Sequence, residues 1–132
     1  MATWLMRILL LSGALTAIVL AFAILLVPGP FYAGYEINTA GQVSLLNELK
    51  APALLILIAG RTQAAGVWRP GWMRQGTMAG AVLFLSFGLS RTFSILIDGL
   101  PSAGLLWVLA AEMALGMLFA LALWWQSRIE AE

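Results

Sequence analysis

Residues 4–27 read WLMRILLLSGALTAIVLAFAILLV, and Pro28-Gly29-Pro30 follows at once. A helix needs about 20 mainly apolar residues to cross a hydrocarbon core of roughly 30 Å, and this run supplies them with Arg7 alone carrying charge. Proline cannot continue helical hydrogen bonding, so the triplet ends the span. A secretory signal is the competing reading, on the strength of the early Arg7 and the small residues of Ala21-Phe22-Ala23. The apolar stretch runs past that triplet and exceeds an ordinary h-region of about 7–15 residues, which favours a retained membrane helix.

Composition supports the same solvent. Of 132 residues, 62% are hydrophobic and 10% charged, against about 45–50% and 25% in a soluble domain. Mean hydropathy is +0.96. Neither Cys nor His occurs, which removes thiol chemistry, disulfides and His-based triads, and leaves no metal or cofactor implied. Seven basic residues stand against six acidic ones, too balanced and dispersed for nucleic-acid binding.

Three further apolar runs follow, at 45–67, 76–97 and 103–125. The second carries Asn47, Glu48, Lys50, Pro52 and Arg61, with Pro52 early enough to bend a packed helix rather than destroy it. Residues 31–43 read as a polar and aromatic connection and 68–75 as a short loop. Asp98-Gly99-Leu100-Pro101-Ser102 reads as a turn whose Ser102 caps the next helix. Residues 128–132 read as a solvated tail. The sequence thus predicts an all-α, four-transmembrane-helix bundle, one membrane domain over residues 1–132, running up-down-up-down. Arg7, Arg61, Arg69, Arg74 and Arg128 gather near one side and Lys50 near the other, which predicts an N-in/C-in orientation. Trp4, Trp68, Trp72, Trp124 and Trp125 fall at the inner interface, and Phe31, Tyr32 and Tyr35 at the outer one.

Lipid tails are as apolar as Leu, so close contact at small residues and interhelical polar bonds must hold the helices together. Gly76, Gly80 and Gly88 share one row with Phe84, and Glu112, Gly116 and Ala120 share another. Ordinary packing within the bundle accounts for both rows, with dimerisation as the alternative. Ser12 and Thr16 can return hydrogen bonds to their own helix.

The polar residues that need explaining are Asn47, Glu48, Lys50, Arg91, Asp98 and Glu112. Arg91 lies roughly 9 Å from the outer end of its helix, and Glu112 roughly 15 Å into the last one. Unpaired charges there cost on the order of 2.5–3.5 kcal/mol each on insertion scales. Pairing Arg91 with Glu112 across the tight turn is the economical solution, with Glu48 or Asn47 as further acceptors. Lys50 is expected to snorkel to the outer headgroups, and Asp98 to lie at the surface near Arg91 or Lys50. The cluster reads as a structural staple, as the lining of an outward-facing ligand pocket, or, least economically, as a proton or ion path through Glu112.

Asn47-Glu48-Leu49-Lys50-Ala51, Ser90-Arg91 ahead of Asp98-Gly99, and Glu112 in the last helix resemble the small bacterial four-helix membrane proteins grouped as domain of unknown function 4345. The resemblance covers nearly the whole chain. Lys50 stands where that family usually has Arg, and Pro52-Ala53-Leu54 where a Gly-Gly pair is common. It implies an integral protein of a bacterial inner membrane and supplies no reaction. The expected function is an accessory or scaffold subunit, with the bilayer and other membrane subunits as partners. The alternative is a binder or transporter of a lipid, quinone-like or small amphiphilic molecule. An enzyme using Glu48 or Glu112 as general acid or base is a third reading, but no nucleophile accompanies either.

Overall fold

The computed structural model describes residues 2–129, all of them helical or connecting, with no strand among the described residues. Helix α1 spans Ala2–Leu26, α2 Pro28–Ala33, α3 Val43–Lys50, α4 Ala53–Trp68, α5 Met73–Asp98 and α6 Ala103–Ile129, with a 3₁₀ turn at Pro70–Trp72 before α5. Four continuous helical stretches are long and apolar enough to cross a membrane: Thr3–Leu26, Val43–Trp68, Pro70–Asp98 and Ala103–Arg128. Residues 130–132 of the expected tail lie outside the described residues, and Arg128 belongs to the last turn of α6.

One connection differs from expectation. Pro28-Gly29-Pro30 ends α1 but also opens α2, because proline suits the first helical position, where no intrahelical N–H bond is lost. The stretch expected to be an irregular connection from residue 31 onward therefore begins as a helix. Ala51 and Pro52 carry the second span from α3 into α4 as expected: both keep right-handed helical backbone angles, and the Ile56 N–H resumes bonding at the Pro52 carbonyl, 3.0 Å away. Gly99 sits at φ 98°, a conformation glycine adopts without strain, and ends α5.

The bundle closes through small residues. On α1, Gly13, Ala14, Ala17 and Ala21 are buried, and on α4, Ala53, Gly60 and Gln63. A Cβ at Gly60 would lie 3.0 Å from that of Ala17, so its absence lets the two backbones approach, as lipid-embedded helices require. The glycine row of α5 works the same way within the bundle. Gly80 leaves room for the Phe119 ring and Gly88 for Met113, while Gly116 on α6 receives Leu85. Ser12 and Thr16 return their hydroxyls to the Leu9 and Ser12 carbonyls, both at 2.9 Å.

Helices α5 and α6 meet in three layers. Gln126 Nε2 donates to Thr77 Oγ1 at 3.2 Å. Phe84 and Phe119 stack with centroids 5.9 Å apart, and Arg91 Nε donates to Glu112 Oε2 at 2.9 Å. Successive layers are seven residues apart on each helix, in opposite senses, which is the repeat of an antiparallel coiled-coil hairpin. Phe119, fully buried, reaches across to Gly13 and separates the two polar layers.

The layer at the Thr77 end is incompletely bonded. Gln63 is fully buried and donates Nε2 to its own helix at the Ala59 carbonyl, 3.3 Å away. Its Oε1 and that of Gln126 have no hydrogen-bond partner among the described residues. An unpaired buried acceptor forfeits its solvation, so Gln63→Leu should leave stability unchanged or raise it by up to about 1 kcal/mol. Unfolding in mixed detergent micelles reads this directly, and a loss of stability would show that Gln63 holds the fold through a bond of its own.

Candidate functional site

The Arg91–Glu112 layer floors a cavity. Arg91 comes from α5, Glu112 from α6, Glu48 from α3, and Tyr32 and Tyr35 from α2 and the turn after it. The cavity measures about 250 Å³, with Phe87 and Ile56 among its apolar walls. A second space of about 190 Å³ adjoins it deeper in the bundle and shares Glu112, Tyr35 and Phe87 with it. Jointly they fall within the roughly 300–1,000 Å³ of small-ligand sites, and like those sites they are apolar with a few convergent polar groups.

Helix α2 and the strained turn after it wall the cavity on one side, as its lid. The Ile37 N–H bonds to the Tyr32 carbonyl and the Glu36 N–H to that of Ala33, both at 3.1 Å, with Glu36 at φ 65°. This is a Schellman ending with Glu where Gly is usual, at a cost of about 1 kcal/mol. It aims Tyr35 and Ile37 into the cavity wall. Tyr32 donates its hydroxyl to the Leu49 carbonyl at 3.4 Å, and Ser102 donates to the Tyr35 carbonyl at 3.1 Å. The Ser102 hydroxyl therefore ties the lid to α6, where a helix cap was expected. Burial pushes the Tyr32 phenol above its ordinary range, against the opposing pull of Arg91, so it stays a neutral donor.

Arg91 and Glu112 pair as the charge argument requires, with side chains 34% and 10% exposed. The other candidates scatter. Glu48 lines the cavity but makes no hydrogen bond to Arg91. Asn47 is exposed and makes no hydrogen bond to Arg91, so the extra acceptors expected from these two residues do not materialise. Lys50 is half-buried in the last turn of α3. Asp98 is exposed and accepts from Ser94 Oγ at 2.9 Å. A serine one helical turn away is nearer than Arg91 or Lys50, which corrects the expected attraction.

Tyr32, Tyr35 and Phe87 were not among the sequence candidates. The signal for the two tyrosines was aromatic spacing after Pro30, which an interfacial belt explains equally well, and Phe87 gave none. Thr77 and Gln126 gave none.

Chemically the cavity offers hydrogen-bond donors. A guanidinium carries five N–H donors, and here Nε alone is bonded among the described residues. The Tyr35 hydroxyl likewise bonds to no protein group among the described residues. Two carboxylates, Glu48 and Glu112, line the cavity with one guanidinium, which disfavours an anion. No three potential metal ligands converge among the described residues.

No curated protein and no solved structure matches the chain. The profile of the family described as Domain of unknown function (DUF4345) matches residues 5–126. That match takes in every residue of the cavity and nearly all of the four spans, and the chain belongs to the DUF4345 family.

Proposed function

We propose that this chain is a non-catalytic membrane protein that binds an amphiphilic small molecule, with the polar head in the Arg91–Glu112 cavity. A lipid, a quinone-like compound or a similar amphiphile meets the description, and transport of it is an extension of binding. The observation that carries the reading is Arg91: a guanidinium anchored through one N–H to Glu112, lining an apolar cavity with its remaining donors unspent. The accessory-subunit reading rests on exposed apolar helix faces, which lipid covers as well as a partner does.

The orientation follows from the same frame. An up-down-up-down course with N-in/C-in topology places the Arg7, Arg69 and Arg128 end in the cytoplasm and opens the cavity toward the outer leaflet of a bacterial inner membrane. The proximity of Met6 to Thr77 and of Thr77 to Gln126 supports a shared end for α1, α5 and α6. A phosphatase fused after Glu132 should be inactive and a fluorescent protein there bright; the reverse would turn the account over.

Native mass spectrometry of protein extracted in mild detergent tests the binding. The wild type should carry an added mass of one amphiphile, and Arg91→Ala should lose it. Equal retention by both would sink the reading.

A further inference from the structure

The helices form an open arc. Helix α1 packs along α4, α4 on α5 and α5 on α6, whereas the backbones of α1 and α6 stand apart and Phe119 bridges them at Gly13. Between them runs an apolar groove of about 520 Å³, lined by Leu5, Ile8 and Ser12 on α1 and by Leu118, Ala122 and Trp125 on α6. Ser12 spends its hydroxyl on the Leu9 carbonyl, so the groove offers no free hydroxyl donor. Leu115 lines both this groove and the inner cavity, and Glu112 lines both cavities. The inner cavity and the groove therefore adjoin at Leu115, on the side of the bundle that leads to the tryptophan end.

Building on the binding site proposed above, we infer that the α1–α6 seam is its lateral entrance and tail groove. The ligand is then a long-chained amphiphile with an uncharged, hydrogen-bond-accepting head. Length and depth both argue for this. From Leu115 to Trp125 the groove follows about 15 Å of helix, about the depth of one leaflet of a hydrocarbon core roughly 30 Å thick. Glu112 itself lies about 13 Å below the start of α6, where a charged headgroup would be expensive. The excess of carboxylate over guanidinium in the cavity disfavours an anion independently. A carbonyl-bearing ring or an ester, drawing on Arg91 and Tyr35, satisfies both conditions, and a single chain fills the seam.

Photolabelling of the full chain in lipid nanodiscs tests this with two long-chain alkyl benzoquinones, one bearing a diazirine at the chain end and one beside the ring. The chain-end probe should label residues 5–12 and 115–125. That labelling should fall about tenfold in Arg91→Ala, as expected for lost hydrogen bonds to a charged group, while labelling of the outward Leu54 and Leu55 stays constant. Ala122→Phe, which fills the groove without touching the head, should abolish chain-end labelling of the seam and preserve ring-probe labelling around Arg91. Seam labelling that persists in both variants would mean ordinary annular lipid and overturn the groove, leaving the head site standing if the ring probe still labels it. Failure of the ring probe to label the wild-type cavity would remove the head site and the groove together. A fatty-acid probe of equal length should label the seam weakly; labelling equal to that of the quinone would overturn the uncharged head.

Discussion

Arg91→Ala lowers the unfolding free energy by about 2–3 kcal/mol, and Glu112→Ala by a comparable amount. Breaking a buried ion pair from one side strands the other charge, which typically costs 3–5 kcal/mol. For Glu112→Ala the figure falls below that range because the stranded Arg91 side chain is 34% exposed and can draw on other contacts. Glu112, at 10% exposure, has less recourse. The double variant removes both charges and should recover at least about 1 kcal/mol of the summed loss. Reversible unfolding in mixed micelles gives all three values. Strictly additive losses would show that the 2.9 Å contact carries no coupling. The same series separates stability from binding, since the double variant can regain its fold and still lack the donor that holds a ligand.

The second large effect lies one layer deeper. Phe119→Ala should cost about 3–5 kcal/mol, the usual range for deleting a buried aromatic, because its ring fills space that Gly13 and Gly80 leave open. Gly80→Ala should cost about 1–3 kcal/mol through overpacking, since the new Cβ would lie 2.7 Å from three atoms of that ring. Combining Gly80→Ala with Phe119→Leu should cost less than the sum of the single changes, because the smaller side chain yields the space the methyl needs. Additivity in the same unfolding assay would contradict direct packing between these residues. This layer also bears on the site, as the Phe84–Phe119 stack divides the Arg91–Glu112 layer from the Gln63 and Thr77 groups.

The spans were readable because hydrocarbon thickness sets a minimum apolar length, and all four runs exceed it. The Arg91–Glu112 pair was readable too, since a short Gly-Pro turn makes neighbours of α5 and α6 and an unpaired charge at that depth is costly. Helix α2 was not, because proline marks a helix start as readily as a stop. Asp98 was misjudged: an exposed carboxylate takes whichever donor is nearest, and Ser94 is one turn away. Thr77 and Gln126 stayed invisible because uncharged polar side chains can satisfy themselves on their own helix and so demand no partner. The seven-residue layering of α5 on α6 emerges only once their register is known. The lid over the cavity needs long-range contacts, Ser102 to Tyr35 and Tyr32 to Leu49, that no local pattern announces.

An experimental density map of the protein reconstituted in native lipid, with no ligand added, is the most direct trial. The account predicts extra density against the Arg91 guanidinium, broad between Tyr35 and Phe87 and drawn out along the gap separating Leu118 from Ile8. A map in which Arg91 turns to the aqueous surface, Glu112 stands apart from it, and side chains collapse into the space between α3 and α6 would contradict it.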